Sequence, residues 1–160
     1  MIKHLLLAAT VASLSACGFR PLYAGSSFNG VVEGQNISIA EIPGRSGYML
    51  RRNLLQELAT GLPGLTEPAT LTIMLDERLE RAALVSDGGV SRSFLVASSR
   101  YALETENNVF SGEENVRVPY GQAPTSYSDV AAQISASESG MKELARRIAA
   151  DLRLQVQTEQ

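Results

Sequence analysis

One stretch of this chain is arranged to undergo covalent chemistry. Leu14-Ser15-Ala16-Cys17 follows a short charged start, Met1-Ile2-Lys3-His4, and an apolar run from Leu5 to Leu14. A positive start, an apolar run and small residues ahead of a cysteine form a secretory signal with a lipobox. The run is too short to span a bilayer. The pattern predicts cleavage of residues 1–16, leaving Cys17 first in the mature chain with an S-diacylglycerol and an N-acyl group. Several acyl chains give stable anchoring where one is marginal. Cys17 is the only cysteine; once acylated it can form no disulfide, and stability has to come from packing.

The rest of the inventory is chemically sparse. The single histidine, His4, lies in the signal, and there is no tryptophan. The mature chain is therefore without Ser-His or Cys-His nucleophile pairs. Zinc sites built from His and Cys are excluded too. A hydrolase working with carboxylates alone remains open, but no carboxylate pair stands out from ordinary surface charge. The reading is a non-enzymatic protein with no metal and no cofactor. The balance of 14 basic to 17 acidic side chains, with Lys3 lost alongside the signal, lacks the basic stripe of a nucleic-acid binder. Arg78, Arg81, Arg92 and Arg100 fall on or near one predicted hairpin. Guanidinium forks match phosphate oxygens, so these four are the candidate ligands for an anionic lipid. The plainer reading pairs them with Glu77, Glu80 and Glu104 as surface charge.

The elements that must carry these residues are legible in order. Residues 17–35 read as a lipidated tether and lead-in, rich in Gly, Pro and Ser. Phe19, Leu22 and Tyr23 interrupt it and either pack on the domain edge or touch a membrane or partner. Residues 36–156 read as a single domain. Asn36–Ile42 has a partial strand alternation, ended by Pro43-Gly44. Ser46 is the expected N-cap of a helix to about Thr60, with Leu50, Leu54, Leu55 and Leu58 as its apolar stripe, stopped by Gly61 and Pro63. Ala69–Glu77 is the clearest strand, extended past a bulge toward Val85. Asp87-Gly88-Gly89 signals a hairpin. The second arm, Ser91–Glu104, has Leu95, Ala97, Tyr101 and Leu103 on one face and Phe94, Val96, Ser98 and Arg100 on the other. After a turn at Asn107-Asn108, Val109–Val118 forms a third arm with Gly112 as a bulge. A loop over 119–126 leads to a helix over about 128–155. Val130, Ile134, Met141, Leu144, Ile148 and Leu152 mark its face, and Gly140 is a weak point or kink. The order β-α-β-β-β-α predicts an α+β two-layer sandwich, a four-stranded, mostly antiparallel sheet with two helices on one face.

The mature start, Cys17-Gly18-Phe19-Arg20-Pro21-Leu22-Tyr23, resembles the opening of the alphaproteobacterial LPS-assembly lipoproteins of the LptE family. Arg45-Ser46-Gly47-Tyr48-Met49-Leu50-Arg51-Arg52-Asn53-Leu54 is similar to that family's first-helix segment, and the element order is similar as well. The resemblance implies an outer-membrane lipoprotein that plugs the LptD β-barrel, assists its assembly and takes part in placing lipopolysaccharide in the outer leaflet. Partners would be the barrel, lipopolysaccharide and the outer membrane through the anchor, on the periplasmic side. Gly18 is compatible with that sorting. Rival readings are an accessory lipoprotein of another envelope lipid transporter, a pilotin-like subunit of a secretion pore, and a passive structural lipoprotein.

Overall fold

The computed structural model describes residues 37–84, 90–121 and 125–158, with the side chains of 81–92 outside that description. The signal, Cys17, the tether and the Asp87-Gly88-Gly89 turn lie outside the described residues. The elements are β1 (Ile37–Ile39), α1 (Gly44–Glu57), β2 (Ala69–Leu84), β3 (Val90–Glu104), β4 (Val109–Tyr120) and α2 (Ser126–Thr158). The predicted order holds. The four strands lie side by side in chain order, β1 parallel to β2 and the remaining pairs antiparallel.

Alternation builds the core. Leu71 and Ile73 of β2, then Leu95, Ala97, Tyr101 and Leu103 of β3, then Phe110 and Val116 of β4 all point to the helix side and are buried. Leu50, Leu54 and Leu58 supply the α1 stripe, and Met141, Leu144, Ile148 and Leu152 that of α2, each fully buried. The two stripes close over one sheet face, as expected for amphipathic helices on an antiparallel sheet. Val130 and Ile134 continue the α2 pattern but not the core: Val130 is exposed and Ile134 half-buried. Among the described residues, the helix outruns what packs against it.

The helices run in the same direction. Ser46 meets Ser137 through their hydroxyls at 3.2 Å, near the start of α1, and Arg153 donates to the Glu57 carbonyl at its end. Both helices therefore begin at the hairpin end of the sheet and finish where β1 starts. Arg51 ties α1 to the sheet, its Nε donating to the Ile39 carbonyl at 3.1 Å.

Several expectations are corrected. α1 starts two residues before Ser46, with Pro43 as N-cap and no side-chain cap. Gly44 takes a φ of 83° there, a conformation open to glycine at little cost. Ser46 then lies inside the first turn and spends its hydroxyl on Ser137. The helix ends at Glu57, with Leu58 as C-cap, ahead of Gly61. β1 is shorter than 36–42 and ends at Ile39. β2 runs past Glu77 in unbroken register to Arg81, so no bulge divides it there; the register shifts lie farther out, between Arg81 and Leu84. Gly112 is not a bulge: it sits in unbroken register opposite Tyr101. A side chain at 112 would collide with the Tyr101 hydroxyl, so the glycine answers a close approach. β4 continues through Pro119 to Tyr120 where a loop is expected. Pro119 is tolerated because β4 is an edge strand, where a missing N–H breaks no ladder bond. Gly140 leaves α2 uninterrupted; a Cβ there would lie 3.1 Å from Leu95 Cδ2 and 3.4 Å from Val118 Cγ2, so it lets the helix lie close on the sheet.

Candidate ligand-binding face

The sheet face turned away from the helices has nothing packed over it among the described residues. It carries Met74, Asp76, Arg78 and Glu80 from β2, then Phe94, Val96, Ser98 and Arg100 from β3, and Glu113, Asn115, Arg117 and Pro119 from β4. The predicted division of β3 into two faces is therefore correct in every residue named. Register sets the rows: Met74, Arg100 and Glu113 share one, Arg78, Val96 and Arg117 another, Glu80, Phe94 and Pro119 a third.

Two of the predicted arginines come together. Arg78 and Arg100 line a shallow depression of about 420 Å³, with Met74, Asp76, Ser98 and Glu113 around it. Arg81 and Arg92 lie on the backbone of the hairpin farther out, and their side chains are outside the described residues. Arg78 is ion-paired to Glu80 at 3.1 Å and to Asp76 at 3.8 Å. The expected pairing with Glu80 is present; of the other expected partners, neither Glu77 nor Glu104 bonds to Arg78 or Arg100 among the described residues. Arg100 has no ion pair among the described residues, which leaves its guanidinium available to an added anion.

Arg117 is a site residue that the sequence reading misses. Its guanidinium lies 3.8 Å from the Phe94 ring centroid, and it pairs with Glu80 at 3.4 Å. The signal that would have found it is the inward Val116 and Val118, which put Arg117 on the outer row. These exposed pairs are individually worth at most about 1 kcal/mol, so they orient the arginines more than they hold the fold. Arg78, Arg100 and Arg117 stand against Asp76, Glu80, Glu104 and Glu113, so the face is nearly neutral overall and mixed in sign. Met74, 64% exposed, and Phe94 add apolar contact. Such a surface can present cations to phosphate and apolar atoms to a neighbour at once.

On the helix side, the buried Tyr101 hydroxyl donates to Asp151 of α2, beneath Gly112. Burial, then the bonded Asp151 carboxylate, hold the phenol proton on well past its ordinary range. Gln155 Nε2 also donates to Asp151, at 2.6 Å. This cluster joins sheet to helix.

A solved structure of a candidate lipoprotein from Caulobacter crescentus matches this chain with a TM-score of 0.62 and 29% identity, over 76% of this chain and 91% of that one. This chain shares the fold of that candidate lipoprotein. Rare lipoprotein B of Shewanella oneidensis is a more distant likeness, with 16% identity, a TM-score of 0.49, and coverage of 78% of this chain and 93% of that one. No family model matches the chain, and no curated protein matches it significantly. Among the described residues, no helix is long and apolar enough to cross a membrane.

Proposed function

We propose that this chain is an outer-membrane lipoprotein of the LPS-assembly type, anchored through Cys17 on the periplasmic side. In this reading it plugs an LptD-type β-barrel, assists its assembly and takes part in delivering lipopolysaccharide to the outer leaflet. The observation that carries the reading is the likeness to the Caulobacter lipoprotein across nearly all of that chain. The lipobox and the Cys17–Tyr23 heptapeptide add to it. The surface chemistry agrees: a barrel interior is polar, and the open sheet face offers it arginines and carboxylates in alternation. Arg100 and Arg78, which line one depression, and Arg117 farther along the face supply guanidinium groups of the kind that bind lipid phosphates.

The test is co-purification. A C-terminal tag on the full-length chain, extracted from the outer membrane in mild detergent, is expected to bring down a stoichiometric, heat-modifiable β-barrel. A clean monomer would overturn the plug reading. An inner-membrane transporter or a secretion pore in its place would favour an accessory or pilotin-like lipoprotein.

A further inference from the structure

The two edges of the sheet differ in how they meet solvent. The β4 edge is blocked. Pro119 has no N–H to offer, Arg147 Nη1 donates to the Asn115 carbonyl at 2.9 Å, and Gln155 Nε2 donates to the Ser111 carbonyl at 3.3 Å. Prolines and carbonyl-capping side chains are common means of keeping an edge from pairing. The β2 edge is covered by β1 only from Ala69 to Leu71, with one further bond from the Ala40 N–H to the Leu71 carbonyl at 2.9 Å. Peptide groups alternate in direction along a strand. The N–H and C=O of Leu75, Glu77 and Leu79 therefore point the same way as the Leu71 carbonyl, past the end of β1. None of them meets a backbone partner among the described residues.

A recess of about 280 Å³ lies beside this free stretch, on the helix side. It exists because α1 begins only at Gly44 and leaves the outer part of β2 without a helix above it, while α2 continues overhead. Leu79, Leu95 and Ile134 make it apolar, Gln133 and Ser137 form its α2 wall, and Arg45 stands at the start of α1. Leu79 is 49% exposed, an unusual setting for a leucine on the core side of a strand.

We propose that an extended segment of a partner protein adds to the free edge of β2, pairing with Leu75, Glu77 and Leu79 and seating an apolar side chain in the adjoining recess. Main-chain bonds supply affinity in strand addition, and a side-chain pocket supplies selectivity. Glu77 narrows the choice of occupant. Its carboxylate has no ion pair among the described residues, and two copies of this chain pairing antiparallel about Glu77 would set those carboxylates opposite each other, which is unfavourable. A different chain with a basic residue opposite Glu77 satisfies the edge where a second copy does not. The irregular register between Arg81 and Leu84 ends the usable edge. This inference rests on the membrane-anchored reading but not on the plug, since the occupant it requires is an extended strand with a basic residue opposite Glu77, whether or not that strand belongs to a barrel.

Hydrogen exchange on the full-length lipidated chain tests it, in membranes of the native host and again as purified detergent-solubilised monomer. The amides of Leu75, Glu77 and Leu79 are expected to exchange at least tenfold slower in membranes, with those of Met74, Asp76 and Arg78, already paired to β3, unchanged. Glu77→Pro removes an N–H that meets no backbone partner among the described residues, so the monomer should melt near the wild-type temperature while the membrane-dependent protection at Leu75 and Leu79 disappears. If that proline unfolds the monomer, Leu79→Asp, which places a charge at the recess, is the second variant and should also abolish the protection. Equal exchange in both states overturns the proposal. So does protection that appears in the purified protein on raising its concentration, the sign of self-pairing. Protection reproduced by vesicles of phosphatidylethanolamine and phosphatidylglycerol alone, the sign of a lipid in the recess, overturns it as well.

Discussion

Tyr101→Phe is the sharpest test of how the helix layer is fixed to the sheet. Tyr101 is 4% exposed, and its hydroxyl donates to the Asp151 carboxylate. The substitution keeps the ring and opens no cavity, so the cost is that of one hydrogen bond to a charged acceptor, about 1.5–3 kcal/mol. Asp151 keeps the Gln155 amide at 2.6 Å and is only half-buried, which lets water replace the missing donor in part. A loss of about 1–2 kcal/mol is expected, a fall of several degrees in Tm for a domain of this size. The alkaline limb adds a second readout. The folded state holds the phenol proton more tightly than the unfolded chain, where it leaves near pH 10. The stability from this group is complete below that pH and is lost as pH rises above it. Urea unfolding of the wild type should therefore show stability falling from about pH 10 upward, and the Phe variant should show a flatter limb. A double-mutant cycle with Asp151→Asn should give coupling of about 1 kcal/mol. Refutation would be a Phe variant within about 0.3 kcal/mol of wild type, with no coupling and the same alkaline limb.

Further predictions concern the core, the anchor and the open face. Gly140→Val places branched bulk against Leu95 and Val118 and should destabilise by about 2–3 kcal/mol in urea melts. Leu144→Ala empties a fully buried position on α2 and should cost about 2–5 kcal/mol. Cys17→Ser should abolish incorporation of labelled palmitate and release the protein from the membrane fraction; retained label would refute the lipobox reading. Replacing Arg78, Arg81, Arg92 and Arg100 with Gln should weaken lipopolysaccharide binding by roughly tenfold or more, since each charge-assisted hydrogen bond to phosphate is worth about 1 kcal/mol or more. The same change at Arg52 and Arg146, away from that face, should leave binding unaltered, and unaltered binding in the fourfold variant would remove those residues from the site.

Much of this fold is legible because period-two alternation is strong where one face of a strand is buried. The β3 run from Phe94 to Leu103 sorts into inward and outward residues by sequence alone, and the hairpin register then carries Arg78 and Arg100 to one depression. Glycines and caps are less legible because their roles are tertiary. Gly112 reads as a bulge until the Tyr101 hydroxyl is seen beneath it, and Gly140 reads as a kink until Leu95 and Val118 are seen against it. Ser46 has the chemistry of a cap, but Pro43-Gly44 already turns the chain into the helix two residues earlier. Pro119 suggests the end of a strand in isolation; only the position of β4 at the sheet edge allows the strand to continue through it. The place of Arg117 over Phe94 depends on pairing between two strands, which local pattern does not encode.

The short parallel strand β1 has a mechanical consequence. Ile37, Ser38 and Ile39 run alongside Ala69, Thr70 and Leu71 in the same direction, with Ile37 at the end of the sheet where both helices finish. A force drawn outward along that strand from its N-terminal side loads the β1–β2 bonds in shear, so that they share the strain. A pull across the sheet would instead open them singly, as a zipper. Ile37 and Ile39, both sealed in the core, resist sliding along the same axis. The domain is thus gripped more firmly along the axis of β1 than across the sheet.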